Sequence, residues 1–126
     1  MTLTITPIYA GLLAIWFLVL SVRVIAARRG RRIAYGDAGD VAVQGRIRAQ
    51  GNFAEYVPFT LLLMMMAELT GAAGWALHLV GLILLVGRGL HGLGLSWYPL
   101  AFRLRVWGMT GTFIALTGAA LLALPI

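Results

Sequence analysis

The chain carries several apolar stretches that reach the ~18 residues a helix needs to cross a bilayer. That feature leaves few options. A soluble domain of 126 residues needs a polar remainder to face water, and this chain, 61% hydrophobic and 11% charged, lacks one. The expected class is all-α: an integral membrane four-helix bundle of up-down topology. There is no room for a second domain, so residues 1–126 read as one transmembrane unit.

The spans fall at about 7–28, 41–69, 75–95 and 105–124. The first apolar run ends in Arg28, Arg29, Arg31 and Arg32. A cleaved signal peptide carries its positive charge before the apolar run, so this reads as a retained helix. Two Gly-Asp pairs mark Ile33 to Val41 as a loop, and Thr70 to Gly74 reads as a tight turn. Pro99 lies in a polar third connection, Ser96 to Arg105, and Pro125 stops the last helix. All ten basic residues are arginines in or near the first and third connections. By the positive-inside rule, that side is cytoplasmic and both termini face the periplasm, which predicts a bacterial inner membrane. The same placement accounts for the formal charge of +6 without nucleic acid, because no polar basic domain is present.

Cysteine is absent, which removes disulfides, thiolate metal sites and a cysteine nucleophile. His78 and His91 are far apart, so no metal site is expected. Gly81, Gly87, Gly89 and Gly92 on the third helix, with Gly108, Gly111, Ala115 and Gly118 on the fourth, suit close helix packing in lipid. The Gly87-to-Gly92 string matches the dinucleotide pattern G-x-G-x-x-G. It lies inside an apolar helix rather than between strand and helix, so it is rejected.

Polar residues entering the membrane are expensive and mark sites or pairs. Arg48, Asn52 and Glu55 are spaced i, i+4, i+7 and share one face of the second helix, with Tyr56 beside them. The plain alternative is that Arg48 and Glu55 pair across helices and only fix packing. Arg88 and His91 share a face of the third helix. Arg28 and Arg29 end the first helix, and Arg103 and Arg105 open the fourth. All of these converge on the cytoplasmic end. Several arginines with one carboxylate and one amide suit a small anionic, partly zwitterionic ligand. The chain offers no Cys, no Lys and no Ser beside a base, so an enzyme here borrows its nucleophile from the ligand.

The run Arg48-Ala49-Gln50-Gly51-Asn52-Phe53-Ala54-Glu55-Tyr56-Val57-Pro58 resembles the signature of the MAPEG superfamily, membrane-associated proteins in eicosanoid and glutathione metabolism. Val24 to Arg29 is similar to the same region in the leukotriene-synthase branch, and Arg88 to His91 to the Arg-x-x-His of the prostaglandin-synthase branch. The pattern over nearly the whole chain looks most like the small bacterial members. The resemblance implies a homotrimer with glutathione, as co-substrate, in a cleft between subunits. Arg48, Asn52, Glu55 and Tyr56 would hold it, with Arg28 or Arg29, Arg88 and His91 adding contacts. Arg103 or Arg105 would stabilise the thiolate, and spacing does not choose between them. The thiolate would attack a lipophilic electrophile arriving through the bilayer, as a transferase or peroxidase.

One departure stands out. Eicosanoid-producing members place a tyrosine one turn after the third-helix motif, where this chain has Leu95. Trp97 and Tyr98 are the nearby aromatic candidates to replace it. A non-catalytic binding or interaction protein on the same fold is the main alternative. A small drug exporter needs a carboxylate deep in the first helix, and none is there.

Overall fold

The computed structural model describes residues 2–126. In chain order these form α1 (Thr6–Gly30), α2 (Val41–Leu69), α3 (Gly74–Gly92), a π turn (Leu93–Trp97) that prolongs α3, and α4 (Phe102–Ala123). No strand occurs among the described residues. The expected all-helical membrane bundle is therefore what the chain builds. α1, α3 with its π turn, and α4 are each long and apolar enough to span a bilayer. α2 is long enough at 29 residues, but Arg46, Arg48 and Glu55 interrupt its apolar character in the first half. The third connection is shorter than the sequence suggests, because the π turn runs to Trp97 and α4 already begins at Phe102.

α3 runs along α4, and α2 lies against both α1 and α4. Their shared core contains Leu13 and Leu20 of α1, Phe53 and Met64 of α2, Leu84 of α3, and Ala115 of α4. Ile15, Leu18, Val22 and Ile25 on α1, and Ile114 and Leu121 on α4, point outward. In water such exposure would be a liability, but in a bilayer it is the lipid-facing surface.

The α3–α4 contact rests on absent side chains. A methyl group added at Gly108 would stand 2.5 Å from the His91 nitrogen and 2.7 Å from the Gly87 carbonyl oxygen. Both are backbone atoms that cannot step aside. Gly81 and Gly92 receive the rings of Tyr9 and Trp16 in the same way. Gly89 differs from the expectation: nothing lies within 4 Å of its would-be methyl, so it takes no part in packing.

The helix ends are closed by local hydrogen bonds. After α2, Ala72 N donates to the Ala67 carbonyl at 3.0 Å and Gly71 N to that of Glu68 at 3.2 Å, with Gly71 at φ 90°. This is a Schellman closure, in which the residue at positive φ is normally glycine. α1 ends the same way through Ile33 N to the Arg28 carbonyl, at 2.8 Å, but with Arg32 at φ 55° in the left-handed place. The start of α1 is capped from another helix: the Glu68 carboxylate accepts from the backbone nitrogens of Thr4, Ile5 and Thr6 at 2.7–2.8 Å. Those groups have no partner within α1 itself.

Asp40 caps α2, accepting from Val43 N at 3.1 Å and from Arg31 Nε at 2.7 Å. The Val43 N–H foremost, then Arg31, holds its carboxyl below its ordinary value of 3.8, against a smaller desolvation effect that raises it. A depressed folded-state pKa contributes stability above the unfolded value, and that stability is lost as pH falls through the folded one. Wild type should therefore lose stability on acidification below about pH 4, and Asp40→Asn should remove that part of the acid limb. Thermal melts from pH 6 to 3 would check this, and identical limbs in both proteins would count against the cap.

Candidate functional site

α2 presents Arg48 and Asn52 one turn apart toward α4, because Ala49 and Phe53 on the same helix are drawn into the core. α3 brings His91 from the opposite wall. α4 supplies Phe102, Arg105, Val106, Met109, Thr110 and Phe113, all on one face at helical spacing. With Leu95 from the π turn these residues line a cleft of about 500 Å³ at the arginine-rich end of the bundle. A recess of about 210 Å³ adjoins it and shares Arg48, Leu95 and Arg105. Arg48 and Arg105 thus border both spaces. From Thr110 and Phe113 an apolar groove of about 510 Å³ continues along α4 past Ile114 and Thr117 to Leu121.

The π turn sets the distance between these walls. A methyl at Gly94 would stand 2.8 Å from the Arg105 nitrogen, and one at Gly45 would run into the Leu95 carbonyl. Backbone therefore meets the π turn on both sides, which seats the first turn of α4 beside His91. Such wide turns are common where a helix is shaped for a site.

Arg88 is 1% exposed, the largest fully buried side chain. Its Nη1 donates to Thr112 Oγ1 at 3.3 Å and reaches Met109 Sδ at 3.7 Å, and its guanidinium carbon lies 5.7 Å from the centre of the Phe53 ring. Its Nη2 lies 3.3 Å from His91 Nδ1. Arginine only donates, so His91 Nδ1 accepts and the ring proton belongs on Nε2. His91 is thereby a fixed neutral ring with its remaining donor available at the cleft wall. Trp16 Nε1 donates to the Arg88 carbonyl at 3.0 Å and ties α1 to this segment. The buried oxygen of the Asn52 amide and Arg88 Nε have no hydrogen-bond partner within the chain.

The candidates from the sequence sort into three groups. Arg48, Asn52, His91 and Arg105 share the cleft. Three more act beside it: Glu55 accepts from Arg48 Nη2 at 3.1 Å, Tyr56 stacks edge-on against the cleft residue Phe113 at 5.6 Å, and Arg88 holds His91. The Arg48–Glu55 pair runs along one helix rather than across two, since seven residues bring both onto the same face. Arg28, Arg29 and Arg103 line no part of the cleft. Arg28 instead donates to the Gly36 carbonyl at 3.0 Å.

The aromatic candidates do not replace the missing tyrosine. Trp97 stacks on Trp16 at 5.4 Å on the other side of the bundle, and Tyr98 is exposed. Trp107 faces a separate groove with Leu82 and Val86. The α4 wall was not singled out from sequence, although the period of Phe102, Val106, Met109, Thr110 and Phe113 is visible there. Arg23, taken only as a topology arginine, turns out to face Ser96 and Trp97.

Comparison with known proteins adds the following. The sequence profile described as the MAPEG family matches residues 6–125. The chain is 38% identical over 112 residues to the inner membrane protein YecN of Escherichia coli K12, covering 89% of this chain and 84% of that one. YecN from Escherichia coli strain CFT073 matches to the same extent.

Proposed function

Because this chain belongs to the MAPEG family, we propose that it is a membrane-bound glutathione-dependent transferase, with peroxidase activity in scope, acting on lipophilic electrophiles. The observation that carries this reading is the shared cleft: two guanidinium groups, an unpartnered buried amide oxygen and an Nε2–H donor line one space. Its volume of about 500 Å³ falls in the range of small-molecule sites. Arg48 would fork a glutathione carboxylate, and Glu55, close to it, would take the ammonium. The Asn52 oxygen would accept a peptide N–H. Arg105 would stand at the thiol, lowering its pKa so that the proton leaves to solvent. The thiolate sulfur then bonds to the electrophilic carbon, whose leaving group departs or whose strained ring opens. The electrophile would arrive along the apolar α4 groove. A homotrimer belongs to this reading, because Arg28 or Arg29, outside the cleft of their own chain, would then complete it from a neighbouring subunit.

Arg48→Ala should weaken glutathione binding by at least about tenfold, the loss of one charge-assisted contact, while the oligomer survives. Titration calorimetry in detergent, with sedimentation for the assembly, tests both. Undiminished binding would remove the proposal. One observation favours a binding-only role instead, namely the aliphatic Leu95 in the cleft wall. Robust turnover of a broad electrophile panel, abolished by cleft variants, would exclude that role.

A further inference from the structure

On the opposite side of α1 from the core lies a groove that the proposed reaction does not use. It has a volume of about 430 Å³ and is lined by Ile15, Leu18, Val19, Val22, Arg23 and Trp97. Four of the six are aliphatic and face outward. Arg23 and Trp97 close the end nearest the arginine-rich surface. Eight residues separate Ile15 from Arg23, about 12 Å along a helix, against about 15 Å for one leaflet's hydrocarbon.

The charged end is built. Arg23 Nε donates to Ser96 Oγ at 2.6 Å and Nη2 to the Ser96 carbonyl at 2.9 Å. Its guanidinium carbon sits 3.6 Å above the centre of the Trp97 ring, and that ring lies flat on Trp16. Arg46 Nη1 donates to the carbonyl of Arg23 at 2.9 Å, bringing a second cation to the same place. Every one of these acceptors is neutral. A guanidinium has five N–H donors, so both arginines hold donors in reserve.

No carboxylate of the chain can supply the missing negative charge. The sequence contains four acidic residues. Asp40 is paired with Arg31 and Glu55 with Arg48. Glu68 accepts from the start of α1 at the other end of the bundle. Asp37 accepts from Gly39 in the first loop. A second copy seated in the groove would bring the same engaged carboxylates and leave Arg23 and Arg46 unbalanced. An apolar channel open to hydrocarbon, ending in two unbalanced and preorganised cations, is complementary to one abundant kind of molecule. We infer that this groove binds an anionic phospholipid, its phosphate on Arg23 and Arg46 and an acyl chain along Val22, Val19, Leu18 and Ile15.

The inference does not depend on the glutathione reading. Its test is native mass spectrometry of the delipidated wild-type protein, titrated with phosphatidylglycerol or phosphatidylcholine of identical acyl chains. Phosphatidylglycerol should bind about tenfold more tightly, as expected for two arginines at a membrane surface. Arg23→Gln with Arg46→Gln should bring that ratio close to one, whereas Arg103→Gln should leave it unchanged. Val19→Trp, which fills the groove, should weaken both lipids. It provides the decision if the double variant does not fold. Equal binding of the two lipids by wild type would overturn the inference. So would selectivity that survives in the double variant, or lipid binding unaffected by Val19→Trp. Displacement by millimolar inorganic phosphate would also overturn it, by showing a site for free anions.

Discussion

Arg105→Ala is expected to lower glutathione turnover with a lipophilic electrophile by about 100-fold, while Arg103→Ala leaves it near the wild-type rate. Both arginines lie in the first turns of α4, but only Arg105 lines the cleft, and Arg103 is exposed. An unperturbed thiol has a pKa near ~8.5, so at neutral pH it is mostly protonated and a poor nucleophile. A guanidinium beside it favours the thiolate, and lowering the pKa by two units corresponds to roughly 2.7 kcal/mol. The sign follows for the pH profile. Wild-type rate should stay high down to the lowered pKa, whereas in Arg105→Ala it should already fall below about pH 8.5. Ultraviolet difference spectra of the glutathione complex would show the thiolate band in wild type and Arg103→Ala, and lose it in Arg105→Ala. A band that persists without Arg105 would move thiol activation elsewhere in the chain.

Gly108→Ala should be the most damaging single methyl in the bundle, costing about 3 kcal/mol or more, at the upper end of overpacking. The added carbon would meet His91 N and Gly87 O, both backbone. Relief requires α3 and α4 to separate, which takes His91 away from Arg105. Stability and activity should therefore fall together. Gly89→Ala is the matched control, since its methyl meets nothing within 4 Å and it replaces a poor helix former with a good one. Denaturation in mild detergent should rank Gly89→Ala at or slightly above wild type and Gly108→Ala far below. Equal melting points would show that the crossing is looser than the backbone distances imply.

The contrast between these glycines also shows how much could be read from sequence. Helix number and order followed from the apolar runs, and the bounds of α2 follow from Gly39-Asp40 before it and Thr70-Gly71 after it. The face carrying Arg48, Asn52 and Glu55 followed from helical spacing alone. What spacing could not supply was which face of one helix meets which face of the next. Gly89 and Gly87 look alike in sequence, yet only Gly87 lies at the crossing. Arg103 and Arg105 are equivalent until the π turn, invisible in composition, seats α4. Glu68 resembled a surface carboxylate at a helix end, because its partners are backbone groups more than 60 residues away. Arg23 sits in an apolar run and reads as topology until Ser96 and Trp97 are seen against it.

The enclosed Arg88 bears on how the chain reaches its membrane at all. A lone arginine near the middle of a spanning helix opposes its entry into lipid by about 2.5–3.5 kcal/mol. Its hydroxyl and thioether partners, Thr112 and Met109, are both on α4, which is synthesised later. α3 is thus poorly suited to partition into lipid by itself. The short Tyr98-to-Ala101 link lets the two segments leave the translocon together as a hairpin, with the cation already shielded. Biogenesis, as much as the finished architecture, is written into the pairing of these two helices.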